Sequence, residues 1–419
     1  MMSLQTILIL IGIAVIGLAL IYGPKAIRVN KMIHLYDKDK IAFNFINMDK
    51  IFRAGPMIKA SATPHSFQNM TKEFSLPSTF KHLGKDENLE DALEYYETDG
   101  LIVLKNNKLL YENYWHNNTQ TSKHISWSVA KSFLSALIGI AVDQGLIDSI
   151  DDPVTKYLDD FKNTGYEGVP IKDLLQMSSG IKFNEDYADY NSDINRFGRT
   201  ISFGTPMRDF AKSLENEKEP GTYHHYVSID TQMLAMVLQE VTGKSVTESL
   251  QEHIWNKIGM QDDAYYMVDD SGMEVALGGL NATLRDYAKF GLLYLNRGDW
   301  NGEQVVPAEW VDASHATDED HLVPGDNPNS SSVWGYGYQW WVPGFPSTEY
   351  TASGVYNQYI FIDPKNKVVI AKTSSNHRFT AEKEESKAAH VAMFRAIASL
   401  LQIYEFKKCT PSYLPIFYV

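Results

Sequence analysis

The stretch "SWSVAKSFLSALIGIAV", residues 126–142, decides the fold, because a polar loop turns here into an uninterrupted apolar helix. A helix that is apolar nearly all round must lie inside a sizeable core. Lys131 stands at its start, and burial lowers the pKa of a lysine, so that a neutral amine is left to act as a base. Ser128 lies three residues earlier, one helical turn away, so the two side chains can share one face. The pair is a candidate nucleophile with its base.

The spacing Ser-x-x-Lys is common, so its context has to separate chemistry from chance. Ser78 and Ser179 also precede a lysine by three positions, but no apolar helix follows the first, and Gly180, a helix terminator, follows the second. Ser128 stands at the positive end of a helix, which favours an oxyanion. The segment alone leaves open that Ser128 caps the helix and Lys131 extends to the surface.

The composition narrows the class of protein. The chain has 419 residues, of which 44% are hydrophobic, and this is enough for one large domain or two lobes. A net charge of −14 argues against nucleic acid as a partner. The single cysteine, Cys409, excludes an internal disulfide, and the histidines lack metal-ligand spacing. We therefore expect neither a metal nor an organic cofactor.

The N-terminus is predicted to be a membrane anchor. No charge occurs from Met1 to Pro24, and about 20 mostly apolar residues would form a helix roughly 30 Å long, which matches a bilayer core. A basic start and a small-residue cleavage site are not evident, which favours a retained single-pass helix over a signal peptide. Lys25, Arg28 and Lys31 flank its C-terminal side, and the positive-inside rule would then keep the body cytoplasmic.

The hydrophobic and turn patterns divide the rest of the chain into three parts. Residues 25–92 are predicted to form a linker and N-terminal extension, and residues 406–419 a C-terminal tail. Between them, residues 93–405 contain two predicted β-hairpins, one around Asn106 and Asn107 and one near the end, with helical patterns over about 150–300. The expected fold is α/β of the α+β type: an antiparallel sheet built from distant segments and flanked by helices, with an inserted all-helical lobe.

Three ordered motifs carry a family resemblance over about residues 93–405: "SVAK" at 128–131, "PGTYHHYVSIDTQML" at 220–234 and "TASGVYNQYIFIDP" at 351–364. In order and rough spacing the chain resembles the serine β-lactamase-like superfamily, which includes class C β-lactamases, penicillin-binding D,D-peptidases, esterases and 6-aminohexanoate-dimer hydrolases. The resemblance implies a β-lactamase/transpeptidase-like fold.

The resemblance also implies site residues. Ser128 would be the acylated nucleophile, Lys131 its proton acceptor and Tyr226 the group that passes a proton to the leaving group. The backbone N–H groups of Ser128 and Val355 would form the oxyanion hole. A nearby lysine cation would lower the pKa of the phenol and favour phenolate. The alternative for Tyr226 is an aromatic residue that packs in the core.

Two departures from the family pattern bear on substrate. The family's Lys-Thr-Gly or His-x-Gly is here Ala352, Ser353 and Gly354, so the cation that meets a substrate carboxylate is missing, and Ser228 replaces the usual asparagine. We therefore expect short-chain esters or small uncharged amides to be hydrolysed readily and β-lactams poorly.

The expected substrate contacts come from three short stretches. They involve Ser228, Ser353 and Gly354, with Trp340 and Trp341 lining an aromatic pocket or, alternatively, packing as core or surface aromatics.

The sequence thus predicts a membrane-anchored serine hydrolase that acts on a small ester or amide through an acyl-enzyme. The family resemblance implies an extracytoplasmic catalytic domain, in conflict with the positive-inside rule, so the orientation stays open. The alternative function is a catalytically silent member of the fold that binds cell-wall peptides as a receptor or sensor. The natural substrate and the oligomeric state do not follow from the sequence.

Overall fold

The computed structural model of the protein describes residues 3–203, 205–344 and 348–409. The helices are α1 Leu4–Ile33, α2 Ile41–Phe45, α3 Leu89–Tyr95, α4 Ala130–Asp143, α5 Ile171–Leu175, α6 Asp193–Phe203, α7 Met207–Lys212, α8 Ser228–Thr242, α9 Val246–Leu250, α10 Leu284–Leu295, α11 Ala308–Ala313 and α12 Lys383–Cys409. The strands are β1 Ala54–Ile58, β2 Gln68–Asn69, β3 Thr79–His82, β4 Lys85–Asn88, β5 Thr98–Lys105, β6 Lys108–Tyr114, β7 His124–Ile125, β8 Ala264–Met267, β9 Leu280–Ala282, β10 Asp299–Trp300, β11 Glu303–Gln304, β12 Gly335–Tyr336, β13 Trp341–Val342, β14 Tyr350–Gly354, β15 Gln358–Asp363 and β16 Val368–Ser374.

The main sheet has eight strands in the order β12-β13-β14-β15-β16-β5-β6-β2. Its pairs are antiparallel except β2 with β6. The predicted hairpins form as β5 with β6 and β15 with β16, and Asn106 and Asn107 take the positive φ angles that a tight hairpin turn requires. Strand β16 pairs with β5, so segments from the two ends of the domain lie side by side. The prediction of an antiparallel sheet built from distant segments is confirmed.

Helices cover both faces of the main sheet. Side chains alternate between the faces of a strand, so Ile102 and Leu104 of β5 join the core cluster that contains α4 and α10. Leu101 and Val103 point the other way, into the cluster that α12 covers. Because both faces are covered, every residue of β5 is buried.

A second sheet corrects the prediction of an all-helical lobe. Strands β8 and β9 lie within the range 150–300 and join β1 and β7 in a four-stranded sheet of order β1-β8-β9-β7. Strand β1 belongs to the predicted extension, and β7 immediately precedes the Ser128 turn. These strands have only two to five residues, too few for a period-two pattern to stand out from the surrounding helical sequence.

Helix α4 is as buried as its composition predicts. Every residue from Ala130 to Ala141 is buried. Phe133 stacks on Phe290 of α10, with ring centres 3.6 Å apart, and α4 also packs against α8. Helix α4 therefore packs against α8, and the turn that leads into it contacts β14 of the main sheet.

The N-terminal helix differs from its prediction. Helix α1 runs without a break from Leu4 to Ile33, past the predicted boundary at residue 24, and its last turns contact α6. Arg28 Nη1 lies 3.6 Å from Asp270 Oδ1 of the body. Among the described residues, no helix has the combined length and apolar character that a bilayer crossing requires, so the predicted transmembrane anchor is not supported.

The C-terminal tail predicted for residues 406–419 is described only in part. Helix α12 continues through residue 409, and the remaining residues lie outside the described part of the chain.

Candidate active site

Ser128 lies in a 3₁₀ turn, Trp127–Val129, that leads directly into α4. The N-cap position of α4 is Val129, and no side chain caps the helix. The Ser128 hydroxyl instead accepts a hydrogen bond from Lys131 Nζ at 3.1 Å. The alternative that Ser128 serves as a helix cap is therefore wrong.

Lys131 is buried and does not extend to the surface, since only 1% of the residue is exposed. Its Nζ donates to the carbonyl oxygen of Leu277 at 2.6 Å as well as to Ser128. Burial lowers the pKa of Lys131 to about 7, although the carboxyl groups of Glu185 and Asp230 act in the opposite direction. The amine is therefore neutral in a large fraction of molecules near neutral pH and can accept a proton.

A pH profile tests this property of Lys131. We expect kcat/KM for a nitrophenyl ester to rise as the pH passes through about 7 and then to level off. Below that pKa the amine is protonated and cannot take the serine proton, and kcat/KM reports the ionisation of the free enzyme. A profile with no inflection between pH 6 and pH 8 would contradict the role of Lys131 as base.

Tyr226 lies beside both residues. The Ser128 hydroxyl lies close enough to the Tyr226 hydroxyl to act on its pKa, and Lys131 Nζ lies 5.3 Å from the centre of the Tyr226 ring. Burial, with the nearby charge of Glu185, raises the pKa of Tyr226 well above its usual value. The expectation that Lys131 lowers this pKa is wrong, because burial disfavours the charged forms of both side chains. Tyr226 is therefore a neutral phenol, suited to donating a proton.

Strand β14 approaches the Ser128 turn closely at Gly354. A Cβ atom on Gly354 would lie 2.7 Å from the carbonyl oxygen of Ser126 and 3.1 Å from the backbone nitrogen of Ser128. Any other residue would push the strand away from the turn. Val355 follows directly in the chain and lines the same two cavities as Ser128, and its part in an oxyanion hole stays a prediction.

Glu185 is a site residue that the sequence analysis missed. It accepts hydrogen bonds from the backbone N–H of Ser228 at 3.1 Å and from the Ser228 hydroxyl at 2.6 Å. Tyr187 donates to the same carboxylate at 2.8 Å. Glu185 lies in an irregular segment with no motif around it, so no sequence signal indicated it.

The predicted role of Ser228 in substrate binding is corrected by this contact. Ser228 is wholly buried, and both of its donors are directed at Glu185. It positions a carboxylate beside Lys131 and Tyr226 rather than contacting a substrate.

Of the two tryptophans predicted to line an aromatic pocket, only Trp341 does so. Trp341 stacks on Tyr226, with ring centres 5.3 Å apart, and lines the cavity at the site together with Ser353. Trp340 is fully buried between Phe290 and Tyr350, so its predicted place in the pocket is wrong. Neighbouring residues in extended chain point to opposite faces, which is why only one of the pair reaches the site.

Two cavities meet at Ser128. One, of about 600 Å³, is lined mostly by residues with hydroxyl or charged side chains, Tyr226, Glu185 and Ser353 among them, and is called the polar cavity below. The other, of about 490 Å³, is largely apolar and extends towards α1 and α6. Ser128 and Val355 line both cavities.

The polar cavity contains cations that the third motif lacks. Lys383 and Lys387 of α12 line it, and Lys387 Nζ lies 5.3 Å from the ring centre of Trp341. Burial lowers the pKa of Lys387 to about 8. The third motif itself has no cation, but a helix about 30 residues further along the chain brings Lys387, paired with Glu384 at 3.3 Å, into the cavity lining.

The fold and this site define a serine hydrolase of the β-lactamase type. The chain belongs to the Beta-lactamase family, whose model matches residues 86–393. It is 30% identical to the 6-aminohexanoate-dimer hydrolase of Paenarthrobacter ureafaciens over 295 residues, which are 68% of this chain and 75% of that protein. A teichoic acid D-alanine hydrolase of Staphylococcus aureus is 29% identical over 140 residues, 33% of this chain and 31% of that protein.

Solved structures agree with this assignment. A Bacillus anthracis structure that bears the provisional name 6-aminohexanoate-dimer hydrolase superposes with a TM-score of 0.78 at 26% identity, covering 88% of this chain and 96% of that one. A penicillin-binding protein homologue from Pyrococcus abyssi, at 22% identity and a TM-score of 0.56, shares the fold over 75% of this chain and 77% of its own.

Proposed function

We propose that this protein hydrolyses an ester or amide through an acyl-enzyme on Ser128, with Lys131 and Tyr226 as the acid and base groups. The observation that carries the proposal is the 3.1 Å contact between Lys131 Nζ and Ser128 Oγ in a site where burial lowers the pKa of the amine to about 7. A serine hydroxyl is a weak nucleophile until such a base takes its proton.

In the acylation step, neutral Lys131 takes the proton of Ser128 as the serine oxygen attacks the carbonyl carbon of the substrate. The backbone N–H groups of Ser128 and Val355 stabilise the resulting oxyanion. Tyr226 donates its proton to the departing alcohol or amine as the bond to the carbonyl carbon breaks, and Lys131 returns a proton to the phenolate.

In the deacylation step, water attacks the acyl-enzyme and gives up one proton to the same base. The carboxylic acid leaves, and Ser128 regains its proton. Tyr226 lies beside the Ser128 hydroxyl, with its ring centre 5.3 Å from Lys131 Nζ, and this position supports a relay among the three groups. Glu185, held by Ser228, would stabilise the lysine cation that forms on the way.

The relatives support an amide or ester as substrate, since they are named for the hydrolysis of a 6-aminohexanoate dimer and of D-alanine on teichoic acid. The alternative, a silent receptor of the same fold, is disfavoured because a nucleophile, a base and a proton donor are all present and in contact. The location in the cell envelope, with an extracytoplasmic catalytic domain, stays a prediction.

Covalent labelling separates the enzyme from the silent receptor. We expect a fluorophosphonate probe to label the wild-type protein at Ser128, because the probe reacts with a serine that an adjacent base activates. Ser128→Ala should not label, and Ser78→Ala, at an exposed chance match of the same spacing, should label like the wild type. Absence of label on folded wild-type protein would favour the receptor.

A further inference from the structure

The apolar cavity at Ser128 is built as a channel that leads from the surface to the nucleophile. Its lining includes two strongly exposed residues, Ile33 at 69% and Tyr190 at 71% exposure, and these mark the opening. Deeper in, Phe197, Met267 and Leu277 line the channel and are buried. The carbonyl oxygen of Leu277 accepts the hydrogen bond from Lys131, so the inner end lies at the catalytic groups.

The position of Tyr226 decides which part of a substrate enters which cavity. Tyr226 lines the polar cavity and is not part of the apolar lining. The leaving group must receive its proton from Tyr226, so it has to lie on the polar side, near Glu185 and Lys387. The acyl group is attached to the same carbonyl carbon and must extend the other way, and the apolar channel meets Ser128 and Val355 there.

We propose that the apolar channel binds an aliphatic acyl chain of medium length, so that the preferred substrate is an acyl ester or acyl amide with a polar leaving group. This inference rests on the acyl-enzyme function proposed above. A cavity of about 490 Å³ lies within the range that holds a ligand of drug-like size, and burial of methylene groups is favourable in an apolar lining. The channel replaces the expectation of short-chain esters with one of longer chains.

A series of p-nitrophenyl esters with one leaving group isolates the acyl chain. Going from butyrate to octanoate adds four methylene groups, and we expect kcat/KM to increase at least about tenfold, since each buried methylene contributes a factor of up to about four. A kcat/KM that falls steadily from acetate to octanoate would overturn the inference. If no ester in the series is hydrolysed, the proposed function itself fails, so the two failures are distinguishable.

Gly198 of α6 offers a way to fill the channel. It lines the channel, and a Cβ atom added there meets no other atom within 4 Å, so a larger side chain has room. Leucine is also a better helix former than glycine. In Gly198→Leu we expect the ratio of kcat/KM for octanoate to that for acetate to fall at least about tenfold.

Two further variants keep this test decisive. Thr200→Leu places the same side chain on the same helix but outside the channel lining, and its ratio should equal that of the wild type. Ala188 lies in an exposed loop that lines the channel, so Ala188→Phe places a large ring in the channel. This variant replaces Gly198→Leu in the test if Gly198→Leu does not fold. An unchanged octanoate-to-acetate ratio in both folded channel variants would overturn the assignment of the channel to the acyl chain.

Discussion

Ser128→Ala is expected to lower kcat by about 10⁴-fold to 10⁶-fold while the protein stays folded. The substitution removes the atom that would form the acyl-enzyme, and Lys131 and Tyr226 cannot act without it, so the whole catalytic unit is lost. Ser128 lies in a 3₁₀ turn, and its hydroxyl makes no helix-capping bond, so the fold should tolerate alanine. Turnover of a nitrophenyl ester, with circular dichroism as the check on folding, measures the effect.

Ser78→Ala is the matched control for this experiment. Ser78 also precedes a lysine by three residues, but it is exposed and lies next to β3, away from both cavities. Its replacement should leave kcat within about twofold of the wild type, as surface substitutions usually have small effects. Wild-type turnover by Ser128→Ala would remove Ser128 from the mechanism.

Lys131→Ala is expected to lower kcat by about 10³-fold to 10⁴-fold, because the serine then has no base within hydrogen-bond reach. The inflection near pH 7 should disappear from the residual activity. Lys131→Arg should be similarly inactive, because a guanidinium group keeps its proton at every relevant pH and cannot accept another.

Lys372→Met is the matched control for Lys131→Ala. It shows whether the loss of any buried lysine, rather than the loss of the base at Ser128, lowers kcat. Lys372 of β16 is also fully buried, and burial lowers its pKa to about 7 as well, but it lines neither cavity. We expect this variant to change stability while kcat of the folded fraction stays within a few-fold of the wild type. Equal losses of kcat in Lys131→Ala and Lys372→Met would mean that the effect of Lys131 is structural.

The contact between Ser128 and Lys131 could be predicted from the sequence because its geometry is local. Ser128 and Lys131 are three residues apart at the start of one helix, and helical spacing brings them together whatever the rest of the chain does. The central sheet was predictable for a similar reason, since each hairpin carries its own turn residues and apolar runs. The motif order then placed Tyr226 with them by resemblance.

The other site residues could not be predicted in this way, because their contacts join distant segments. Glu185 lies 43 residues before Ser228 in an irregular segment, and a single carboxylate has no periodicity that marks it. Lys387 belongs to α12, whose apolar pattern predicts a helix but not which cavity its charged residues line. The predicted lowering of the Tyr226 pKa was also wrong. Its pKa is raised, because side chains from several elements bury the phenol.

The sequence by itself determined the contact between Ser128 and Lys131 and the main sheet, because these depend on the local geometry of a helix and on alternation along strands. The tertiary structure alone decided what surrounds Ser128: the small second sheet, the different positions of Trp340 and Trp341, the lysines of α12 and the apolar cavity between α1 and α6. A cavity is the space left where several elements pack together. Its shape and charge therefore depend on contacts between residues that are far apart in the chain.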